Sequence, residues 1–144
     1  MIYLKVFEDR DKYIVVLEAE EKVIESLHTL ASDRNICGFF YGIGAVRNPE
    51  IGYFDLVQRK YLRRRLDGDF EVVSIIGNIT RDEEENVIVH AHICLGDRDN
   101  NTYGGHLFEA TVSVTLEIIV LPTKKILRVF DKTKNLKLIA HMLE

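Results

Sequence analysis

The most regular alternation of apolar and polar positions lies in residues 87–95. Every second side chain is apolar, and the positions between them are Ile88, His90, His92 and Cys94. A period of two is typical of a β-strand that has one face in the core. Residues 111–121 alternate in the same way. We therefore expect one buried layer from both strands, made of Val89, Ala91, Ile93, Val112, Val114 and Leu116.

Shorter apolar segments bounded by polar or glycine-containing turns predict further strands. These segments are residues 1–8, 12–19, 36–46, 52–57, 60–66, 70–79 and 125–130. Residues 47–50, which include Pro49, read as a turn, and Pro122 is expected to end the strand that precedes it. The tail after Phe130 is predicted as a short strand or a helix.

One segment has helical periodicity. Glu20 and Glu21 are expected to open a helix, where their charge suits the positive end of the helix dipole, and Asn35 is expected to end it. The apolar stripe consists of Val23, Ile24, Leu27, Leu30 and Ala31. At least seven short strands and one main helix predict an α+β domain, with a mainly antiparallel or mixed sheet.

Three histidines are the strongest candidates for chemistry. His90 and His92 project from one face of the strand at 87–95, and Gly104-Gly105 is predicted to be a tight turn that brings His106 to them. Three imidazoles suit a borderline-soft divalent ion, most of all zinc. Spacing alone leaves another interpretation open, namely separate surface or hydrogen-bonded core histidines. Cys94 shares the histidine face and is an alternative fourth ligand.

Composition and charge narrow the function classes. The 144 residues predict a single domain, 1–144, of which 47% are hydrophobic and 29% charged. No apolar run is long enough to cross a bilayer, and the N-terminal segment does not resemble a signal peptide, so a cytoplasmic protein is expected. Cys37 and Cys94 are expected to be reduced and buried.

The charge does not favour nucleic-acid binding. The net charge is −4, whereas a duplex-binding domain normally carries a basic footprint. The basic cluster comprises Arg59, Lys60, Arg63, Arg64 and Arg65. Alternation along a strand would divide these side chains between two faces, as on a solvated edge hairpin. Binding to DNA is therefore possible but not favoured.

Four segments in order resemble one known family. They are 90-HAHICLGD-97, 104-GGHLFEATV-112, 42-GIGAV-46 and 73-VSIIGNI-79. Together they look like the signature of the plants and prokaryotes conserved (PPC) domain family, over residues 3–130. Ala110 departs from the glycine that is usual in the family. The resemblance implies the PPC fold and a homotrimer. Prokaryotic members have been labelled predicted DNA-binding proteins, and the AT-hooks of plant members are absent from this sequence.

Two functions follow as hypotheses. The first is a homotrimeric metal-binding protein whose zinc-like ion is held by His90, His92 and His106. The second is a DNA-binding or regulatory protein, and a plain oligomerisation module is a third. Enzyme activity stays open, because the available carboxylates, Glu109 and Glu117, are not placed relative to the histidines by sequence.

Overall fold

The structure is a computed structural model that describes residues 4–144. Its described residues form one helix and nine strands, which confirms the predicted α+β class. The elements are β1 (Lys5–Asp9), β2 (Lys12–Glu18), α1 (Val23–Arg34), β3 (Cys37–Asp55), β4 (Lys60–Arg65), β5 (Asp69–Arg81), β6 (Val87–Gly96), β7 (Thr102–Thr123), β8 (Ile126–Asp131) and β9 (Leu136–Met142). The first predicted strand began at residue 1, and its residues 1–3 lie outside the described part.

The sheet closes on itself around the predicted histidine strand. Its main strand order is β1-β2-β7-β3-β5-β8-β9, and β4 pairs with β3. β6 pairs with both β5 and β7, so β7, β3, β5 and β6 form a closed circuit of antiparallel pairs. A closed circuit leaves no free hydrogen-bonding edge within it. The circuit closes at His106, which pairs with Gly52 on one side and with His92 on the other.

Two strands are longer than the sequence indicated, and this corrects three predicted breaks. Residues 47–50 are not a turn, because β3 continues through Pro49 with a bulge in which Asn48 has φ 48°. β7 continues one residue past Pro122, to Thr123. Gly104-Gly105 is not a turn either; the reversal lies at residues 97–101, where the Asp97 N–H donates to the Asn101 carbonyl at 2.9 Å.

The two glycines serve close strand packing instead. A Cβ added to Gly105 would lie 2.6 Å from the carbonyl oxygen of Gly52 on β3. Only a residue without a side chain lets β7 approach β3 this closely while it also pairs with β6. Glycine at this position therefore fixes where the circuit closes.

Five of the six residues of the predicted layer face the interior. Ala91, Ile93, Val112 and Leu116 are buried, and Val89 packs against the core while partly exposed. Val114 was predicted wrongly, since 69% of it is exposed. Between Gly44 and Val46 of β3, the partner on β7 shifts from Leu116 to Val112. This bulge places extra residues in β7, and the period of two is lost there.

The helix ends where the sequence predicted and begins later. Asn35 adopts the left-handed conformation that commonly follows a helix, with φ 53°. Glu20 and Glu21 precede the helix, which starts at Val23. Its first amides are capped from β7: the Ile24 N–H donates to a carboxylate oxygen of Glu109 at 2.8 Å. Helix α1, with 12 residues, is too short to cross a bilayer, and it is the only helix among the described residues.

We predict that Gly105→Ala lowers the free energy of unfolding by about 1–3 kcal/mol, because the new methyl group overlaps the Gly52 carbonyl. Gly96→Ala is the matched control. Its Cβ would be 3.5 Å from its nearest neighbour, an ordinary contact, so we expect a change within about 0.5 kcal/mol. Urea denaturation measures both. Equal stability of the two variants would contradict the close-approach argument.

Candidate metal centre

The structure brings the three predicted histidines together. His90 and His92 lie two positions apart on β6, and His106 on β7 is directly opposite His92. One ring nitrogen from each residue lies within 4.8 Å of the others. Directly opposed residues on antiparallel strands have Cβ atoms about 5 Å apart, so this register alone places two imidazoles side by side. The third imidazole follows from the period of two along β6.

The ring nitrogens of the cluster are only partly hydrogen bonded. Nε2 of His90 and Nε2 of His92 are 3.3 Å apart. Nδ1 of His106 is buried and has no hydrogen-bond partner. A buried polar atom without a partner is costly, and such atoms often mark the position of an ion or other group.

Arg128 of β8 lies against the cluster from the side of β5. Its Nη2 donates to Oδ1 of Asn78 at 2.8 Å and lies 3.3 Å from Nδ1 of His90. Asn78 and His90 are cross-strand partners on β5 and β6. Because a guanidinium can only donate, Nδ1 of His90 is the acceptor in this contact. The remaining proton of a neutral His90 therefore lies on Nε2, where it points to His92.

Two of the histidines are held neutral at physiological pH. Burial lowers the pKa of His90 to about 4, with help from the Arg128 charge and from His92. Burial also lowers the pKa of His106 to about 4, and the neighbouring His90, His92 and Arg63 add to the effect. Neutral imidazoles have a free lone pair, which is the form that binds a metal ion.

Aromatic rings flank His106. The Tyr61 ring of β4 lies 4.5 Å from the His106 ring and is tilted by 36°, and the Phe108 ring lies 4.7 Å away. Arg63 covers the Phe108 ring at 3.8 Å and pairs with Glu50 at 2.8 Å. Burial raises the pKa of the Tyr61 phenol, and the Arg128 charge opposes that rise. The β3–β4 hairpin therefore shields one side of the cluster.

The other predicted candidates do not join the cluster. Cys94 is not part of the metal-ligand group found among the described residues, and both cysteines are free. Glu109 caps helix α1, and the exposed Glu117 lies farther along β7, opposite Val16. Neither carboxylate is therefore positioned as an acid or base at the histidines.

Sequence reasoning missed Arg128 and Tyr61. Arg128 lies in the segment ILRVFD, where its charge alone favours an exposed position, yet only 6% of it is exposed. Tyr61 lies in the segment 60–66, whose basic residues favoured a solvated edge hairpin. The available signal was that Arg128 shares a strand face with the apolar Ile126 and Phe130. A charged residue at such a position is rarely buried unless it has partners, so it indicates a polar site. His90 departs from the usual arrangement of a metal-ligating histidine, in which the second ring nitrogen donates to an acceptor, because its Nδ1 faces a donor.

Comparisons with known proteins agree with the fold. The family model of the "Plants and Prokaryotes Conserved (PCC) domain" matches residues 5–124. No match was found among the curated proteins.

Several solved structures are similar over nearly the full chain. A Pyrococcus horikoshii plant- and prokaryote-conserved protein is 27% identical with a TM-score of 0.84, covering 98% of this chain and 96% of its own. A metal-containing protein from Archaeoglobus fulgidus is 25% identical, with a TM-score of 0.82 and coverage of 98% and 99%. A candidate DNA-binding protein from Bacteroides thetaiotaomicron is 24% identical, with a TM-score of 0.91 and coverage of 95% and 96%. At that identity the last similarity shows the fold alone.

We predict that the chelator-treated protein loses stability as the pH falls from 7 towards 4. Unfolded histidines bind protons near their ordinary pKa of 6.5, whereas folded His90 and His106 bind them only near pH 4. Between these values the unfolded state holds more protons, so acid favours unfolding. Urea denaturation along this pH range measures the slope. The His90→Gln/His106→Gln variant should have a shallower slope, and the His28→Gln control should match the wild type. Equal slopes in all three proteins would contradict the prediction.

Proposed function

Since the chain belongs to the Plants and Prokaryotes Conserved domain family, we propose that it is a metal-binding protein that holds one zinc-like divalent ion on His90, His92 and His106. The observation that carries the proposal is the convergence of three imidazoles from two paired strands, with ligand atoms within 4.8 Å of one another. The relative from Archaeoglobus fulgidus, described as metal-containing, supports it.

The donor set fits such an ion. Three neutral nitrogen ligands match the preference of zinc, and an ion at the cluster would give a partner to the unpaired nitrogen of His106 if Nδ1 is its ligand atom. His90 would require an adjustment, because a metal ligand at Nε2 must carry its proton on Nδ1, the atom to which Arg128 now donates. The same Nη2 of Arg128 also donates to Asn78 at 2.8 Å, so the guanidinium keeps a partner without His90.

Three protein ligands leave a fourth coordination position. A zinc ion in that setting acts as a Lewis acid and can lower the pKa of a bound water. On the protein side, Tyr61 supplies a hydroxyl near Arg128, and Tyr61 with Phe108 limits solvent access to His106.

We predict one divalent ion per chain in protein purified without a histidine tag, measured by elemental analysis. His92→Ala should lose most of the metal, because it removes one of three ligands. His28→Ala is the matched control, since His28 is an exposed helix residue, and it should keep full occupancy. The metal-free variant should stay folded by circular dichroism, because 23 buried residues in the described part of the chain form a core without the site. One metal ion per chain in a variant with alanine at His90, His92 and His106 would contradict the assignment of these ligands.

We further propose that the protein is a homotrimer, as the family resemblance implies. The structure supplies a surface that needs covering: β7, β3 and β5 present adjacent exposed apolar side chains on one face. These residues include Phe39, Tyr41, Ile43, Val73, Ile76 and Val114, which are 46–69% exposed. Tyr41 and Ile76 are cross-strand partners, and Ile43, Val73 and Val114 line one surface cavity, so these side chains form a patch. Contiguous patches of this kind usually mark subunit contacts.

We predict a solution mass near three times the 16.6 kDa chain mass by light scattering at micromolar concentration. Ile76→Glu should dissociate the assembly, because it places a charge within the apolar patch. The control is Val57→Glu at the tip of the β3–β4 hairpin, which is 92% exposed and lies outside the patch. A wild-type mass equal to one chain would end the proposal.

Binding to DNA is the less favoured function. Within the basic cluster, Arg63 is already paired with Glu50, and the net charge remains −4. Any affinity of this chain for DNA is therefore expected to be weak and salt-dependent. We also propose a cytoplasmic location, because two free cysteines fit a reducing compartment.

A further inference from the structure

Arg128 is a buried cation whose partners are all neutral. Its Nε donates to Oγ1 of Thr80 at 2.9 Å, its Nη1 to the carbonyl oxygen of Lys137 at 2.9 Å, and its Nη2 to Oδ1 of Asn78 at 2.8 Å. The fourth contact is Nδ1 of His90. The guanidinium nitrogens therefore have hydrogen-bond partners, but none of these groups carries a negative charge that balances the charge of Arg128.

No carboxylate in residues 4–144 forms an ion pair with Arg128. The acidic side chains directly after β5 and at the end of β8 have other partners. Asp82 pairs with the ammonium of Lys137 at 2.8 Å, and Asp131 accepts hydrogen bonds from the turn that follows β8. Glu50 on β3 is bonded to Arg63. A buried charge without a counter-ion is unfavourable, and it favours any anion that can come close.

The proposed metal site adds to this excess. Three neutral histidines leave the two positive charges of the ion unbalanced. Arg128 contributes a third positive charge, because its Nη2 contacts Nδ1 of the ligand His90. A ligand at the fourth position would therefore enter a positive field beside the Tyr61 and Phe108 rings. Such a field discriminates between ligands of similar shape by their charge.

We propose that the fourth position takes a small oxyanion, a carboxylate or a phosphate, and that the unbalanced charge of Arg128 selects it over neutral ligands. Arg128 acts here as a positioning and specificity residue, because its hydrogen bonds are already directed at Asn78, Thr80 and Lys137. The inference rests on the proposed metal site, and it adds the chemical class of the ligand.

The test uses the full-length protein loaded with Co²⁺, whose visible absorption reports changes at the fourth coordination position. Acetate, phosphate and acetamide are titrated separately at constant ionic strength and pH 7. Acetate and acetamide have nearly the same shape and differ in charge. We expect acetate or phosphate to bind at least about tenfold more tightly than acetamide. The better of the two anions identifies which oxyanion the site prefers.

Variants then isolate the role of Arg128. Arg128→Met should weaken anion binding about tenfold and leave acetamide binding unchanged. Arg98→Met is the control, because it removes the same charge from the exposed turn between β6 and β7. If circular dichroism shows that Arg128→Met does not fold, Arg128→Lys replaces it. Arg128→Lys keeps the charge and should keep the preference for anions. The comparison of acetate with acetamide in the wild type then decides whether the site prefers an anion.

The outcomes separate the two proposals. Absence of Co²⁺ binding to the wild type would overturn the metal site and the oxyanion inference together. Co²⁺ bound by the three histidines with equal affinity for acetate and acetamide would overturn the oxyanion inference alone. Loss of anion preference in Arg98→Met to the same degree as in Arg128→Met would show that net charge, not Arg128, sets the preference, and would also overturn it.

Discussion

The close approach of β7 to the backbone of Gly52 is the constraint on which the rest of the structure depends. Gly105 permits it, and the next residue, His106, pairs with β3 and β6 at once. The same point therefore closes the circuit of strands and completes the histidine cluster. Fold and site share one backbone contact, so neither can shift without the other.

Local patterns predicted what depends on single strands. The period of two in β6 placed His90 and His92 on one face, and the structure agrees. The sequence failed where two strands interact: Val114 was assigned to the core because the bulge in β7 has no sequence signature, and Gly104-Gly105 was read as a turn because a glycine pair favours both turns and close packing. Long-range backbone contacts decide between such alternatives, and a single sequence does not reveal them.

The site shows the same division. Three ligand candidates could be found because histidine spacing is visible along the chain, although the reason given for His106 was wrong. Arg128 lies on β8 and Tyr61 on β4, and neither strand is next to β6 in sequence. No local pattern therefore predicts that these residues lie near the histidines. Their roles arise from burial and from partners such as Asn78, which is distant in sequence. Charge balance around a site therefore becomes readable only once the strands are assembled.

The carboxylate of Glu109 has a consequence for the order of folding. It caps the amide of Ile24 across 85 residues of sequence, and Lys22 at the helix start makes no side-chain cap of its own. During synthesis the helical segment emerges long before β7, so it lacks this cap until most of the chain exists. Contacts of such separation slow folding, because the loop between them must close first. Helix α1 is therefore expected to consolidate late, together with the strand that carries His106.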